Sequence, residues 1–231
     1  MQRKFSSTTS EHVIFLDLMP KLEMRAFVLF ARKARTAPDF SLNDLPGSGG
    51  RLDLVARCIT QALWLSHKLR DDASFFAVLN GPPSPPITIA FYASLLQHVS
   101  PDERNLASWI KIALEKLEQN PKVKEWIKVQ RGIAVMRCGI EELVSDLHSS
   151  GFSIYILHER GKDITELEFD FNSCFVLGDH LGLPKKIENF IARKCGAIKV
   201  SLGPTSYLAS SCIAVVNYLL DRGARSAQSI R

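Results

Sequence analysis

The sequence lacks any apolar run long enough to cross a bilayer, and Val13 to Met19 is short and interrupted by Asp17. That run reads as neither a signal-peptide core nor a transmembrane helix. Cysteine is sparse and odd in number, at positions 58, 138, 174, 195 and 212, with no CxxC spacing. This argues against a disulfide framework and fits a reducing, cytoplasmic setting. The six histidines are scattered with no HxxxH pair, so no structural metal is expected. No GK[ST] follows the glycines at 47, 49 and 50, which excludes a Walker A loop, and Leu52 stands where a dinucleotide fingerprint needs its third glycine. Internal repeats and low-complexity segments are also missing. These absences leave a globular domain and speak against both a P-loop enzyme and a Rossmann oxidoreductase.

What is present is ordinary in bulk. At 231 residues, 46% hydrophobic and 23% charged, the chain can bury a sizeable core as one domain. Its formal net charge is +5, and residues 1–23 contribute three basic and three acidic side chains, so the excess belongs to the body of the protein. A mild basic excess favours polyanionic partners such as RNA without establishing one.

Along the chain, strand and helix patterns alternate, which predicts an α/β domain with a mainly parallel sheet and helices on both faces. Expected strands are Arg25–Ala31, Ala73–Leu79, Ile87–Tyr92 (an edge strand), Val129–Arg137, Phe152–Leu157, Cys174–Leu177 and Ala197–Leu202. A helix is expected from about Leu52 to Leu69, with apolar residues at three- and four-residue steps and Asp53 paired to Arg57 on the opposite face. Ser100-Pro101-Asp102-Glu103 reads as a capping box with Ser100 as cap, opening a helix that ends near Gln119. Further helices are expected over Ile140–Ser149, from Pro184 as first helical residue, and over Leu208–Leu220, with a mobile basic tail from Arg222.

Four stretches carry candidate chemistry. Leu45-Pro46-Gly47-Ser48-Gly49-Gly50-Arg51 is either a flexible helix lead or a phosphate-binding helix start anchored by Arg51. In SPDERN the cap explains four residues and leaves Arg104 and Asn105 free for another task. Phe175-Val176-Leu177-Gly178-Asp179-His180-Leu181-Gly182-Leu183-Pro184 is a strand, glycine turn and helix start, the place where open α/β sheets bind ligands and equally a plain structural turn. Val200-Ser201-Leu202-Gly203-Pro204-Thr205-Ser206-Tyr207 is a second strand ending in a glycine loop, followed by a helix carrying Cys212. Read alone, Leu157 and Cys212 are core residues and His180 is a turn histidine.

Taken together, FVLGDHLGLP, VSLGPTSYLASSC, LPGSGGRLDLVAR and SPDERN resemble the SPOUT methyltransferases, and within them the TrmY-like tRNA pseudouridine N1-methyltransferases. The resemblance covers almost everything after residue 23. It implies one domain over 24–231, a C-terminal deep trefoil knot over about 150–222, and an extension over 1–23 outside the fold, with Met24 as the natural start. It also implies S-adenosyl-L-methionine as cofactor, a homodimer, and a tRNA substrate methylated at N1 of the T-loop pseudouridine at position 54. Another nucleotide, an rRNA, or a knotted RNA-binding protein without catalysis remain as alternatives. The resemblance assigns the cofactor to Leu157, Gly178, Leu202, Gly203, Pro204, Thr205, Ser206, Tyr207 and Cys212. It leaves Arg51, Asp102 and Arg104 as catalytic candidates, with Asp44 and Asp179 as further carboxylates that could take the proton from N1.

Overall fold

The computed structural model describes residues 25–170 and 172–228, with side chains as far as Gly223. The expected extension at 1–23 lies outside the described residues. Eight strands form one sheet in the order β4-β5-β3-β2-β1-β7-β6-β8. They are β1 (Arg25–Ala31), β2 (Ala73–Leu79), β3 (Ile87–Tyr92), β4 (Ile127–Gln130), β5 (Ile133–Met136), β6 (Ser153–Asp163), β7 (Ser173–Gly178) and β8 (Ile198–Ser201). Strands β2, β1, β7, β6 and β8 run parallel, and β3, β5 and β4 add an antiparallel arm.

The helices are α1 (Leu52–Leu63), α2 (Glu103–Glu118), α3 (Ile140–Ser149), α4 (Lys185–Cys195) and α5 (Ala209–Gln228). Alternation along β1 shows how the layers arise. Phe27, Leu29 and Ala31 enter a core shared with α1, α2 and α5, whereas Ala26, Val28 and Phe30 enter a second core shared with α3 and α4. A strand covered on both faces must be apolar at every position, and all of β2 is buried. The sheet is therefore sandwiched between helical layers, as the alternating sequence pattern requires.

Several boundaries differ from the sequence expectation. Helix α1 stops at Leu63, because Leu65 N donates to Lys68 O (2.8 Å) and Trp64 bridges Leu69, forming a tight bend where the helical spacing of apolar residues continues. Strand β3 is interior, since the 129–137 segment splits into β4 and β5 about Arg131-Gly132 and the resulting hairpin covers the flank of β3. The cap of α2 is Asp102, whose carboxylate accepts from Asn105 N (2.8 Å), while Ser100 donates its hydroxyl to Asp102. Glu103, expected to reach back to the cap, instead pairs with Arg57 (3.1 Å). Pro184 is the cap residue of α4, one position ahead of the first turn. Strand β6 continues to Asp163, and α5 runs helical to Gln228 where a mobile tail was expected.

A polar clamp fastens α5 to the sheet. Asp221 accepts from Arg25 (2.8 Å) and from both terminal nitrogens of Arg70 (2.9 and 2.8 Å). Asn217 accepts from Arg25 (3.0 Å) and donates to Gln61 O on α1 (2.8 Å). The last helix is thereby tied to both β1 and α1.

Candidate active site at the carboxyl ends of the parallel strands

Parallel strands end on one edge of a sheet, so their following loops collect there. After β7, the backbone N–H of Asp179 donates to Phe30 O (3.1 Å). The buried Asp179 carboxylate accepts from the backbone of Arg32 (2.8 Å) and Leu181 (2.9 Å), and Gly182 N donates to Asp179 O (2.8 Å). The turn thus folds back over the strand it leaves. A Cβ on Gly178 would lie 2.2 Å from Gly182 C and 2.4 Å from Leu183 N. The close approach permitted by this glycine is that of its own loop. His180 belongs to the same turn, 4.0 Å from the Asp179 carboxylate.

The neighbouring strands build a second wall. Leu157 on β6 pairs with Val200 on β8, two residues before Leu202. Residues 158–161 then bulge out before pairing resumes at Lys162, and this bulge presents Glu159 to the loop after β8. Ser201 donates to Glu159 O (3.1 Å) and accepts from Gly203 N (3.2 Å), and Ser206 donates to the Glu159 carboxylate (2.5 Å). Gly203 sits at φ 108°, in the left-handed region that side chains avoid. Among the described residues, the backbone groups of Thr205 and Ser206 bond to no other main-chain group. Leu157, Leu202 and Cys212 are half-buried against one core, and the Cys212 thiol lies 3.8 Å from Tyr207 O. Tyr207 and Leu208 close the loop at 52% and 68% exposure. The result is an apolar wall with free backbone groups at its rim, the usual composition of a small-molecule site.

The charged candidates come from the amino ends of α1 and α2. Arg51 takes a left-handed conformation (φ 73°) that turns its guanidinium onto Asp53 (2.9 and 3.2 Å). Asp53 also accepts from Arg57 (2.6 Å). The pair Asp53–Arg57 was legible in the sequence, but Asp53 is buried, not on an exposed opposite face. Burial alone would push the Asp53 carboxyl up, yet the hydrogen bonds from Arg51 and Arg57 outweigh it and hold the group below its usual range. The charge of Asp179 helps to raise the pKa of Arg51, behind the larger effect of the Asp53 hydrogen bond. Helix α1 also packs on α5: Asn217 donates to Gln61 O (2.8 Å), and Cys212 packs against the core that holds Cys58.

The remaining candidates are already engaged. Both Asp102 oxygens are taken, by Asn105 N and Ser100, and those bonds keep its carboxyl below the usual range. Asp44 accepts from Gly47 N (3.0 Å) and Ser48 N (2.8 Å), bracing the glycine loop. Arg104 reaches Asn43 (2.5 Å) and so links α2 to the same loop. Sequence reasoning missed Asp53, Glu159 and Arg32 as members of the site. Their contacts depend on an αL residue, a strand bulge and a backbone N–H, none of which has a sequence signature. Among the described residues, no group of three or more His, Cys, Asp or Glu is arranged to hold a metal ion, and no helix is long and apolar enough to cross a membrane.

A family model described as "Putative SAM-dependent RNA methyltransferase" matches residues 24–224. The chain is 42% identical over 201 residues to the tRNA (pseudouridine(54)-N(1))-methyltransferase of Methanocaldococcus jannaschii, covering 86% of this chain and 97% of that protein. It is 45% identical over 199 residues to the protein of the same name from Thermococcus kodakarensis, covering 86% and 99%. The fold is similar to that of Archaeoglobus fulgidus Nep1 bound to S-adenosylhomocysteine, with a TM-score of 0.59 at 15% identity over 86% of this chain and 98% of that one.

Proposed function

Since the chain belongs to this family of SAM-dependent RNA methyltransferases, we propose that it methylates N1 of pseudouridine 54 in the tRNA T loop. The observation that carries the reading is 42% identity, over 97% of its length, to a protein named for that activity. In the reaction the N1–H of the base is exchanged for N1–CH3, and S-adenosylhomocysteine and a proton leave. When bound, S-adenosylmethionine supplies a methyl group made electrophilic by its sulfonium centre.

The chain's own residues then have separable tasks. Leu157, Leu202 and Cys212 supply the apolar wall, and the main chain from Leu202 to Tyr207 orients the cofactor through groups free at Thr205 and Ser206. Gly178 keeps the β7 turn tight, which holds Asp179 and its partners at the edge of the site. A displacement at an sp3 methyl carbon depends on alignment of the two reactants, so this fixed wall is the main contribution to rate. Arg51 is assigned the negative charge that develops on the base, and its bonds to Asp53, which fix the guanidinium at the start of α1, support this role. Arg104 positions RNA phosphate beside the 43–51 loop, and Asp102 shapes the start of α2 that carries Arg104. With both oxygens of Asp44 and Asp102 engaged, neither is assigned the N1 proton.

The same reading places a trefoil knot over about 150–222, from β6 to the start of α5, in a single domain from residue 24. It also makes the protein a homodimer in the cytoplasm, where its tRNA is. Exposed Tyr207, Leu208 and Tyr218, together with half-exposed Val215 and Leu219, support a second copy packing beside α5. The deciding experiment supplies labelled S-adenosylmethionine with two tRNA transcripts, one carrying T-loop pseudouridine and one uridine. Label on the pseudouridine transcript alone is expected. Label on neither, with cofactor still bound, would overturn the substrate and leave another RNA or nucleotide as target.

A further inference from the structure

We propose that the outer face of α4 is a docking surface for the phosphate backbone of the RNA, an inference that rests on the substrate being RNA. Helix α4 is anchored through Glu188, Ile191 and Cys195, which are buried. On its other side Lys186, Asn189, Phe190, Arg193 and Lys194 line a shallow concavity of about 480 Å3. Their steps of three and one place them on a single helical face.

The helix that carries this face is basic. Residues 185–195 hold four cations (Lys185, Lys186, Arg193, Lys194) and one anion (Glu188), a net +3 against +5 for the whole chain. Glu188 does not neutralise the face, because it turns inward to Lys199 (2.5 Å) and His158 (3.8 Å). Among the described residues, none of the four cations forms an ion pair. Folding does not account for Lys185 and Lys186 either: they occupy the first turn, where positive charge opposes the helix dipole. Phe190, 39% exposed among the cations, adds a ring on which a base or ribose can rest.

Position and length fit the same occupant. The helix begins directly after the Asp179 turn, so its first lysines stand at the margin of the candidate site. From Lys186 to Lys194 the face runs about 12 Å at 1.5 Å per residue, enough for roughly three phosphates of one strand. An unpaired line of cations with an interleaved ring fits a polyanion better than an apolar protein partner.

The test is the triple variant Lys186→Glu, Arg193→Glu, Lys194→Glu, compared with wild type for binding of an unmodified tRNA transcript between 50 and 200 mM salt. Each phosphate that the variant leaves unneutralised lowers the slope of log K against log salt by roughly 0.7–0.9, so a fall of about 2 to 3 is expected. Affinity at the lower salt should fall more than about tenfold, with the melting temperature and the affinity for S-adenosylmethionine as in wild type. An unchanged slope and affinity would overturn the proposal. So would unchanged RNA binding with a change of molecular mass in light scattering, which would make the face a protein interface. Should wild type bind tRNA steeply but leave pseudouridine unmethylated while the variant loses the slope, the docking surface stands and the proposed substrate falls.

Discussion

Gly178→Ala separates two explanations of the glycine turn after β7. In the structure the added methyl would lie 2.2 Å from Gly182 C, 2.4 Å from Leu183 N and 2.7 Å from Gly182 Cα. Carbon atoms pack best at about 3.5–4.0 Å, so the overlap exceeds an ångström. All three neighbours are backbone, which cannot rotate aside as a side-chain tip can. The turn must move, and with it the bonds from Arg32 N and Leu181 N to Asp179. Overpacking of this kind costs about 1–3 kcal/mol. In a domain of this size each kcal/mol lowers the melting temperature by about 2–4 °C, so the protein without ligand should melt roughly 2–12 °C lower. Thermal unfolding followed by circular dichroism, with and without S-adenosylmethionine, reads the effect. Weaker cofactor binding should accompany the lower melting point, because the displaced turn borders the site. If the ligand-free melting point stays within about 1 °C of wild type while cofactor affinity collapses, the reasoning fails. The glycine would then be clearing space for a ligand, as the sequence alone suggested.

Asp221→Asn should cost about 1–3 kcal/mol in urea unfolding, since it leaves Arg25 and Arg70, whose side chains are only 11% and 9% exposed, without their shared carboxylate. An unchanged unfolding free energy would show that α5 is held by its apolar face alone. Acid should destabilise the protein through Asp53 and Asp221. Burial alone would raise both, but the guanidiniums of Arg51 and Arg57, and of Arg70 and Arg25, outweigh it and hold the folded values below the usual carboxylate range. Because the folded values are depressed, the stabilisation is complete above the unfolded pKa and is lost as pH falls through the folded one. Melting temperatures should therefore drop below about pH 4, and a combined Asp53→Asn, Asp221→Asn variant should show a flatter profile between about pH 5 and 2.5. Alkylation with iodoacetamide should reach Cys212 first, since the other four thiols are buried. Burial pushes Cys138 up to about 12 and raises Cys58 and Cys174 far above their usual value. Saturating S-adenosylmethionine should slow the Cys212 reaction, and equal rates with and without it would remove Cys212 from the cofactor wall.

Element type was readable wherever burial imposes a period. Strands β1, β2 and β7 are apolar at nearly every position because helices cover both faces of the sheet, and α2 shows its stripe from Leu106 to Leu117 because one side meets that sheet. Errors fell where a local pattern had two solutions. Ser100 and Asp102 can each cap α2, and the choice went to the residue whose carboxylate meets Asn105 N. The apolar positions after Leu63 continue the helical spacing of α1, but the Leu65–Lys68 bond turns the chain there. Ile87–Tyr92 was expected at an edge, but β5 of the following hairpin pairs beside it and all six residues are buried, which only strand pairing decides.

For the site, the motifs were legible as motifs and their partnerships were not. By itself the sequence determined the alternation of strands and helices, the absence of metal and disulfide spacing, the two glycine-ended strands and the family resemblance, since each is written in the order of residues along one segment. Tertiary structure alone decided that Asp53 is buried between Arg51 and Arg57, that Glu159 receives Ser206, and that the close approach at Gly178 is made by Gly182 and Leu183. It also decided that Asp221 locks α5 to residues 151 and 196 positions earlier in the chain. Such contacts depend on register, bulges and helix docking, which are set by how the whole core packs and leave no period in the sequence.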